Sequence, residues 1–310
     1  MPDGTPTAEI NVTTEIVRTL LAQQAPEFAQ MPLAIAANGW DNTLVAVGDR
    51  WLARLPRRAL AAPLIRHEQQ LLSFLAPRLP VPVPVPIRSG VPGTTYPWHW
   101  SLVERLPGEP ATRAALNDNG VLQWADFLAH LHRPQDARTD PPAPLNPYRG
   151  VPLTERSASV HERLAQLQQL DHPVSGTLLD VWRRAQAAPV ATVATWLHGD
   201  PHPGNILTRD SALSAVVDWG DVTAGDPAGD LGSLWLLADD LSARERALAL
   251  YRESARYPLT TAGWQHLVSR ARGWAFAYGV MLLGAGLVDN PEHAAVGRRA
   301  LANLTADPGL

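Results

Sequence analysis

Two prolines in the stretch His198-Gly-Asp-Pro-His-Pro-Gly-Asn205 constrain this chain more than any other feature. Pro201 and Pro203 exclude a regular helix, so His198 and His202, though four residues apart, do not form a helical zinc pair. What remains is a stiff loop carrying Asp200 and Asn205. The sequence that follows, Ile206–Asp221, predicts a short strand, a polar turn at Arg209-Asp210-Ser211 and a second strand that delivers Asp218 beside the first loop. Such a hairpin gathers Asp200, Asn205 and Asp218 at one end. An amide and a carboxylate are hard oxygen ligands suited to Mg²⁺, which takes few protein ligands and completes its shell with phosphate oxygens. Asp200 is then left as a base or orienting group, the layout used in phosphoryl transfer.

Around this hairpin the chain begins strand-rich and ends helix-rich, changing near residue 106. Residues 14–24 predict an amphipathic helix and 33–55 predict strands. Thr43–Val47 and Arg50–Leu55 are joined at Gly48-Asp49, a two-residue link suited to a positive first φ. Pro63 opens a helix over 63–76. Four prolines in Arg78–Pro86 forbid both helix interior and central strand, leaving an extended crossing. Residues 99–109 predict a strand running into a turn. Val121, Trp124, Ala125, Leu128 and Leu131 have helical spacing, 134–152 form a proline-rich loop, and helices are predicted over 153–170, 174–187, 228–256 and 261–287. The order predicts an α+β protein with a small β-rich N-terminal lobe, 1–106, and a larger mainly helical C-terminal lobe, 107–310, the ligand site lying between them.

His198–Asn205, an aspartate then four residues then an asparagine, resembles the kinase catalytic loop, and Asp218-Trp-Gly220 resembles the metal-binding Asp-Phe-Gly. The His-Gly-Asp form followed by His-Pro-Gly-Asn is similar to the aminoglycoside phosphotransferase family, which also holds macrolide phosphotransferases and related small-molecule kinases. Gly39–Arg58, Arg78–Pro86, Glu104–Glu109, Asn146–Leu153 and Gly225–Trp235 are similar to that family in the same order. The resemblance implies a protein-kinase-like two-lobed fold. It implies Mg²⁺-dependent transfer of the γ-phosphate of ATP or GTP to a small-molecule hydroxyl, an aminoglycoside-type antibiotic first, with a macrolide or another antibiotic or metabolite as the alternative. Asp200 would be catalytic, and Asn205 and Asp218 would be the metal ligands.

The chain contains no lysine; all 26 basic side chains are arginine. Where a protein kinase pairs a strand lysine with a helix glutamate, the resemblance puts Arg54 and Glu68, with Arg54, fixed by Glu68, neutralising the α/β-phosphates. The helix pattern supports Glu68 independently: Leu64, Glu68, Leu71, Leu72 and Leu75 share one face, and a lone carboxylate on that face needs a cation or strong donors. The alternative is a glutamate at the stripe's edge that reaches solvent. Arginine suits the pairing because its planar fork bridges carboxylate and phosphate. Asn38–Asn42, including Gly39 and Asn42, is expected to cover the phosphates with backbone amides. Leu102–Arg105, including Val103, Glu104 and Arg105, is expected to offer backbone groups to the purine.

Of the remaining polar residues, His198 reads as holding the loop, and Asp230 resembles the kinase aspartate that anchors it through backbone amides. His202 faces metal or phosphate, or else serves structure; Asp221 holds a water beside the metal or caps a turn. His130 and His132 read as capping or solvated, and Trp235, Trp264 and Trp274 as packing, with an acceptor-site wall as the alternative for one of them. The formal charge of −4 gives no case for nucleic acid or an anionic membrane. No apolar run approaches the ~20 residues of a membrane span. The absence of cysteine excludes disulfides and thiolate chemistry. The amino end has neither a basic start nor an apolar core, so a cytoplasmic location is expected, with no obligatory protein partner. From 225 to 310, nine acidic residues face eight arginines. That is no acidic field for a polycationic aminoglycoside, which keeps an uncharged acceptor open. A catalytically silent nucleotide-binding module would have lost Asp200 or Asn205; both are present.

Overall fold

The computed structural model describes residues 6–190 and 193–307. Near the amino end α1 (Thr14–Gln24), capped by Thr13, packs beside a five-stranded antiparallel sheet. The sheet comprises β1 (Leu33–Asn38), β2 (Asn42–Val47), β3 (Trp51–Pro56), β4 (Pro86–Gly90) and β5 (Trp100–Glu104), in the order β1-β2-β3-β5-β4. Gly48 has the expected positive φ of 60°, but Val47 pairs with Trp51, so the turn has three residues rather than two. Arg50 is drawn into it because its carbonyl accepts from the Arg105 amide at 2.8 Å and its guanidinium meets Glu104 at 3.1 Å. The proline run ends at Pro86, which starts an edge strand, where a missing N–H is tolerated. Val17, Leu20, Val45, Leu55, Trp100 and Leu102 fill this lobe's core.

Between β3 and β4 runs α2 (Ala62–Leu75). Its Leu71, Leu72 and Leu75 belong to the core of the second lobe, so the helix bridges both lobes and carries Glu68 to their junction. The chain leaves the first sheet at Glu104 and enters the second lobe at β6 (Glu109–Pro110). There follow α3 (Asp118–Leu131), α4 (Ser157–Gln169), α5 (Gly176–Ala187) and β7 (Thr195–Leu197). The hairpin of β8 (Ile206–Arg209) and β9 (Ala212–Val216) pairs with β6, while β10 (Thr223–Gly225) pairs with β7. The β8–β9 turn is Asp210-Ser211, both residues at positive φ, as a tight hairpin of this twist requires.

The helix predicted across 228–256 is three: α6 (Ala228–Leu231), α7 (Leu234–Leu237) and α8 (Leu241–Ser254). At the first break a Cβ on Gly232 would lie 2.8 Å from the Ala271 carbonyl oxygen, so a neighbouring helix fixes the chain there. At the second, Asp240 caps α8 by accepting from the Ala243 amide at 2.7 Å. That neighbour is α9 (Thr261–Asp289), which packs against α4, α5, α6 and finally α10 (Pro291–Ala306). The last helix has legible signals, Asn290 as cap and Pro291 in the first turn, that the periodicity reading passes over. By length and composition α9 also suits a membrane span, contrary to the sequence reading. Its most apolar window is 67% buried inside the protein, as in a core helix. Trp235, Trp264 and Trp274 are buried as expected.

Candidate active site

Between β7 and the 3₁₀ turn Pro203–Asn205, the His198–Asp200 segment hangs from a buried carboxylate. Asp230 accepts from the His198 amide at 2.7 Å and the Gly199 amide at 3.0 Å. Gly199 has φ 88°, and a Cβ there would collide with the Asp221 carbonyl, so only glycine fits. The His198 ring holds the loop, as its position suggests: Nδ1 accepts from the Asp200 amide (3.2 Å), leaving Nε2 to donate to the Val217 carbonyl (3.0 Å). His132 is the C-cap residue of α3, its amide donating to the Leu128 carbonyl at 2.8 Å, but its ring is not solvated. It is fully buried, within 3.2 Å of Asp230 and 2.8 Å of the Tyr251 hydroxyl, so it steadies the anchor. Burial of Asp230 without such donors would be costly, which is why a histidine at this helix end turns inward.

The hairpin brings the expected groups together. Asn205 donates through Nδ2 to the Asp200 carbonyl (2.9 Å) and Asp200 Oδ2 (3.3 Å), bonds in which its amide oxygen takes no part. Asp218 sits just past β9 at φ 62° with its side chain 46% exposed. The Trp219 amide donates to Glu68 Oε1 at 3.0 Å, and a Cβ on Gly220 would press on Leu64, so α2 clamps the Asp-Trp-Gly turn. Glu68 is 1% exposed, not an edge residue reaching water. Arg54 Nη2 bridges Glu68 Oε1 (2.7 Å) and Asp218 Oδ1 (3.1 Å), tying the two lobes through one guanidinium. Burial pushes the Glu68 carboxyl up, to about 7, while Arg54 pulls it down; Oε2 is buried without a hydrogen-bond partner among the described residues.

A residue not picked from the sequence completes the cluster. Arg149 Nη2 contacts Asp200 Oδ1 at 2.8 Å and its Nε lies 3.6 Å from Asp221 Oδ2. Asn146 builds the turn that presents it, accepting from the Tyr148 and Arg149 amides and donating to Asp221 at 2.7 Å. Asp221 is therefore a holder of this turn. Burial raises the Asp200 carboxyl, but Arg149, with His202, His198 and His293, outweighs it and keeps Asp200 below the usual carboxylate range. A carboxylate depressed in this way contributes stability above its unfolded pKa and loses it as pH falls through the folded value. Arg149→Met is expected to lift the Asp200 pKa, moving the acidic limb of the pH–rate profile towards neutrality. A limb in the same place in both proteins would mean that Arg149 does not set the charge of Asp200.

The other expected ligands surround the site unevenly. The Gly39 amide donates to the Asn42 carbonyl at 2.8 Å, closing the turn after β1, while Arg57 and Arg58 hold it through the Gly39 carbonyl (2.6 Å) and Asp41 (2.5 Å). Asn42 is buried, its Oδ1 without a hydrogen-bond partner among the described residues. Val103 and Glu104 lie in β5 at the lobe junction, and the Arg105 amide is taken by Arg50. A cavity of about 310 Å³ is lined by Trp40 and Asp41 from the first lobe and by residues of α9 from the second. Asp200, His202, Asp218 and Asp221 lie at its head. His202 Nδ1 accepts from the Gly204 amide (3.1 Å) and its Nε2 is 3.6 Å from Asp200, so it both caps the turn and faces the carboxylate.

A β-rich lobe that lends a cation to the paired carboxyl loops of a helical lobe is the construction of kinase-like folds, and this chain is one of that class. More narrowly, residues 33–265 match the model of the phosphotransferase enzyme family APH, and the chain belongs to that family. A search of curated protein sequences returns no match. Among solved structures it is similar to the macrolide 2'-phosphotransferase MphH from Brachybacterium faecium, an apoenzyme. The TM-score is 0.57 and identity 22%, covering 96% of this chain and 99% of that one. It is also similar to the GDP complex of aminoglycoside 2'-phosphotransferase-IIIa, with TM-score 0.65, 17% identity and coverage of 95% and 99%. The ADP-bound aminoglycoside phosphotransferase APH(2'')-Ib gives TM-score 0.57, 15% identity and coverage of 94% and 99%. These likenesses establish the kinase-like fold.

Proposed function

We propose that this chain is a Mg²⁺-dependent phosphotransferase moving the γ-phosphate of ATP or GTP to a hydroxyl of a small molecule. The observation that carries the reading is the Arg54 bridge from Glu68 to Asp218, which puts a buried cation beside the hairpin end where Asp200 and Asn205 meet. The donors fit Mg²⁺: the Asn205 amide oxygen and the second Asp218 oxygen are hard ligands, too few for an all-protein cage and suited to a shell completed by phosphate. When bound, the ion neutralises phosphate charge during transfer. Asp200 orients the acceptor hydroxyl and takes its proton as the new O–P bond forms and the nucleoside diphosphate leaves. A carboxylate held below its usual range is a weak base, so Asp200 acts mainly by positioning, as a loose transition state allows. Arg54 neutralises the α/β-phosphates; the turn carrying Gly39 and Asn42 covers them, though the Gly39 amide and carbonyl are already engaged by Asn42 and Arg57, and the backbone of Val103 and Glu104 with the Arg105 carbonyl receives the purine, the Arg105 amide being held by Arg50. The lobe boundary falls at 106.

The acceptor classes named for the structural neighbours, aminoglycosides and macrolides, are the first to test. Nucleotide consumption coupled to a reporter, with ATP and with GTP, with and without Mg²⁺, against aminoglycosides, macrolides, peptide antibiotics and metabolic alcohols tests the reading. Asp218→Ala is expected to lose most of the Mg²⁺-dependent gain in nucleotide affinity, because a charged ligand is removed. Titrating nucleotide with and without the ion reads this directly, and an undiminished metal effect would move the metal site elsewhere.

A further inference from the structure

Every carboxylate lining the cavity beneath the hairpin has a guanidinium partner. Asp41 pairs with Arg58, Asp218 with Arg54, and Asp200 and Asp221 with Arg149. The cavity's other two arginines do not. Arg156, in the turn before α4, is 8% exposed and has no carboxylate within ion-pair reach among the described residues. Its guanidinium lies over the Tyr148 ring, 5.3 Å from the centroid. Arg163, one helix turn and more beyond it on α4, meets Gln166 and no carboxylate among the described residues. Its stem crosses α9 at Gly284, where any Cβ would collide with Arg163 Cδ, so the glycine seats this side chain over the cavity wall. The remaining charged or titratable lining groups are His202, His293 and Tyr278, whose hydroxyl donates to the Gly199 carbonyl at 3.2 Å. Burial, and then the charge of Arg149, already pull the Arg156 pKa down, the sign of a buried cation lacking its counter-ion.

We infer that the acceptor carries an oxyanion group, a carboxylate or phosphonate-like head, seated on Arg156 and Arg163. Its apolar body lies against Tyr278, Met281, Leu282 and Ala285 of α9, and its hydroxyl faces Asp200. The inference rests on the phosphotransferase reading and narrows it. A buried guanidinium is a poor neighbour for a polycation and a strong, geometrically matched one for an oxyanion. The cavity of about 310 Å³ lies at the small end of the ~300–1,000 Å³ range of ligand sites, which suits a compact hydroxy acid better than a multi-ring sugar.

The test uses the whole protein with Mg²⁺ and a nonhydrolysable nucleotide. The probes are aryl and branched-alkyl hydroxy carboxylates, their phosphonate counterparts, their methyl esters, matched amino alcohols, and kanamycin, with binding followed by calorimetry. The acids are expected to bind at least about tenfold more tightly than their esters and amines, the effect of one charge-assisted hydrogen bond. Stronger binding of the carboxylate or of the phosphonate series identifies the head group. Arg156→Met is expected to erase the preference, and Arg163→Glu, at a more exposed position, to turn it towards the amino alcohols. Esters or kanamycin binding as tightly as the acids, or acid affinity unchanged in both variants, overturns the inference. In the same preparations, nucleotide binding without acid preference overturns this inference alone, whereas no Mg²⁺-dependent nucleotide binding takes the phosphotransferase reading down with it.

Discussion

Replacing Asp200 with asparagine is expected to lower turnover by about 10²–10⁴-fold, the range for losing a general base, with Mg²⁺–nucleotide affinity nearly unchanged. The exchange keeps shape, and most of the support is indifferent to the charge. The His198 and Gly199 amides still hang from Asp230, and Asn205 still donates to the backbone carbonyl of residue 200. An asparagine oxygen can accept from Arg149, which also keeps Asp221 nearby. What disappears is the negative charge that orients the hydroxyl and receives its proton. Single-turnover rates together with nucleotide titration separate the two effects. Full activity in the variant would remove Asp200 from the chemistry; a parallel fall in nucleotide affinity would make it a binding residue.

The parts of this site that were legible in the sequence are those built by local geometry. Prolines at 201 and 203 fix the loop, Asp210-Ser211 turns the hairpin, and the stripe Leu64, Leu71, Leu72 and Leu75 marks Glu68 as a charge facing inward. Each constraint acts within a few residues and leaves a pattern. Arg149 leaves none, because it stands in a proline-rich loop without periodicity and gains its role only where that loop crosses the hairpin. The faint signal is the Asn146-Pro147 turn with Gly150 (φ 66°), which lies so close to Gly225 that a Cβ on Gly225 would collide with the Gly150 carbonyl oxygen. The burial of the His132 ring is hidden for a related reason: a histidine capping the end of α3 looks solvated, and only the packing of α6 and α8 over it turns the ring into a buried partner of Asp230. The broken helix over 228–256 is also a tertiary effect, since Gly232 is held by the approach of α9.

Arg54→Ala is expected to destabilise the fold by about 3–5 kcal/mol, because it strands a charge rather than removing a contact. Glu68 is 1% exposed, and its Oε1 takes both Arg54 and the Trp219 amide, so no water replaces the guanidinium. The loss should depend on pH with a definite sign. Burial already lifts the Glu68 carboxyl to about 7, and deleting Arg54 raises it further. A folded-state pKa above the unfolded value favours folding at low pH and is lost as pH rises through the folded value. The deficit of Arg54→Ala relative to the parent should therefore shrink in acid, where Glu68 is protonated, and deepen above neutrality. Adding Glu68→Leu should recover much of the stability, less about 1 kcal/mol for the Trp219 amide left without its acceptor. It should recover no phosphotransfer, because the cation beside Asp218 is still missing. Thermal unfolding and turnover on both single variants and the double variant complete the cycle. Strictly additive stability losses would mean that Arg54 and Glu68 do not meet in solution, and the bridge on which the lobes close would have to be drawn between other residues.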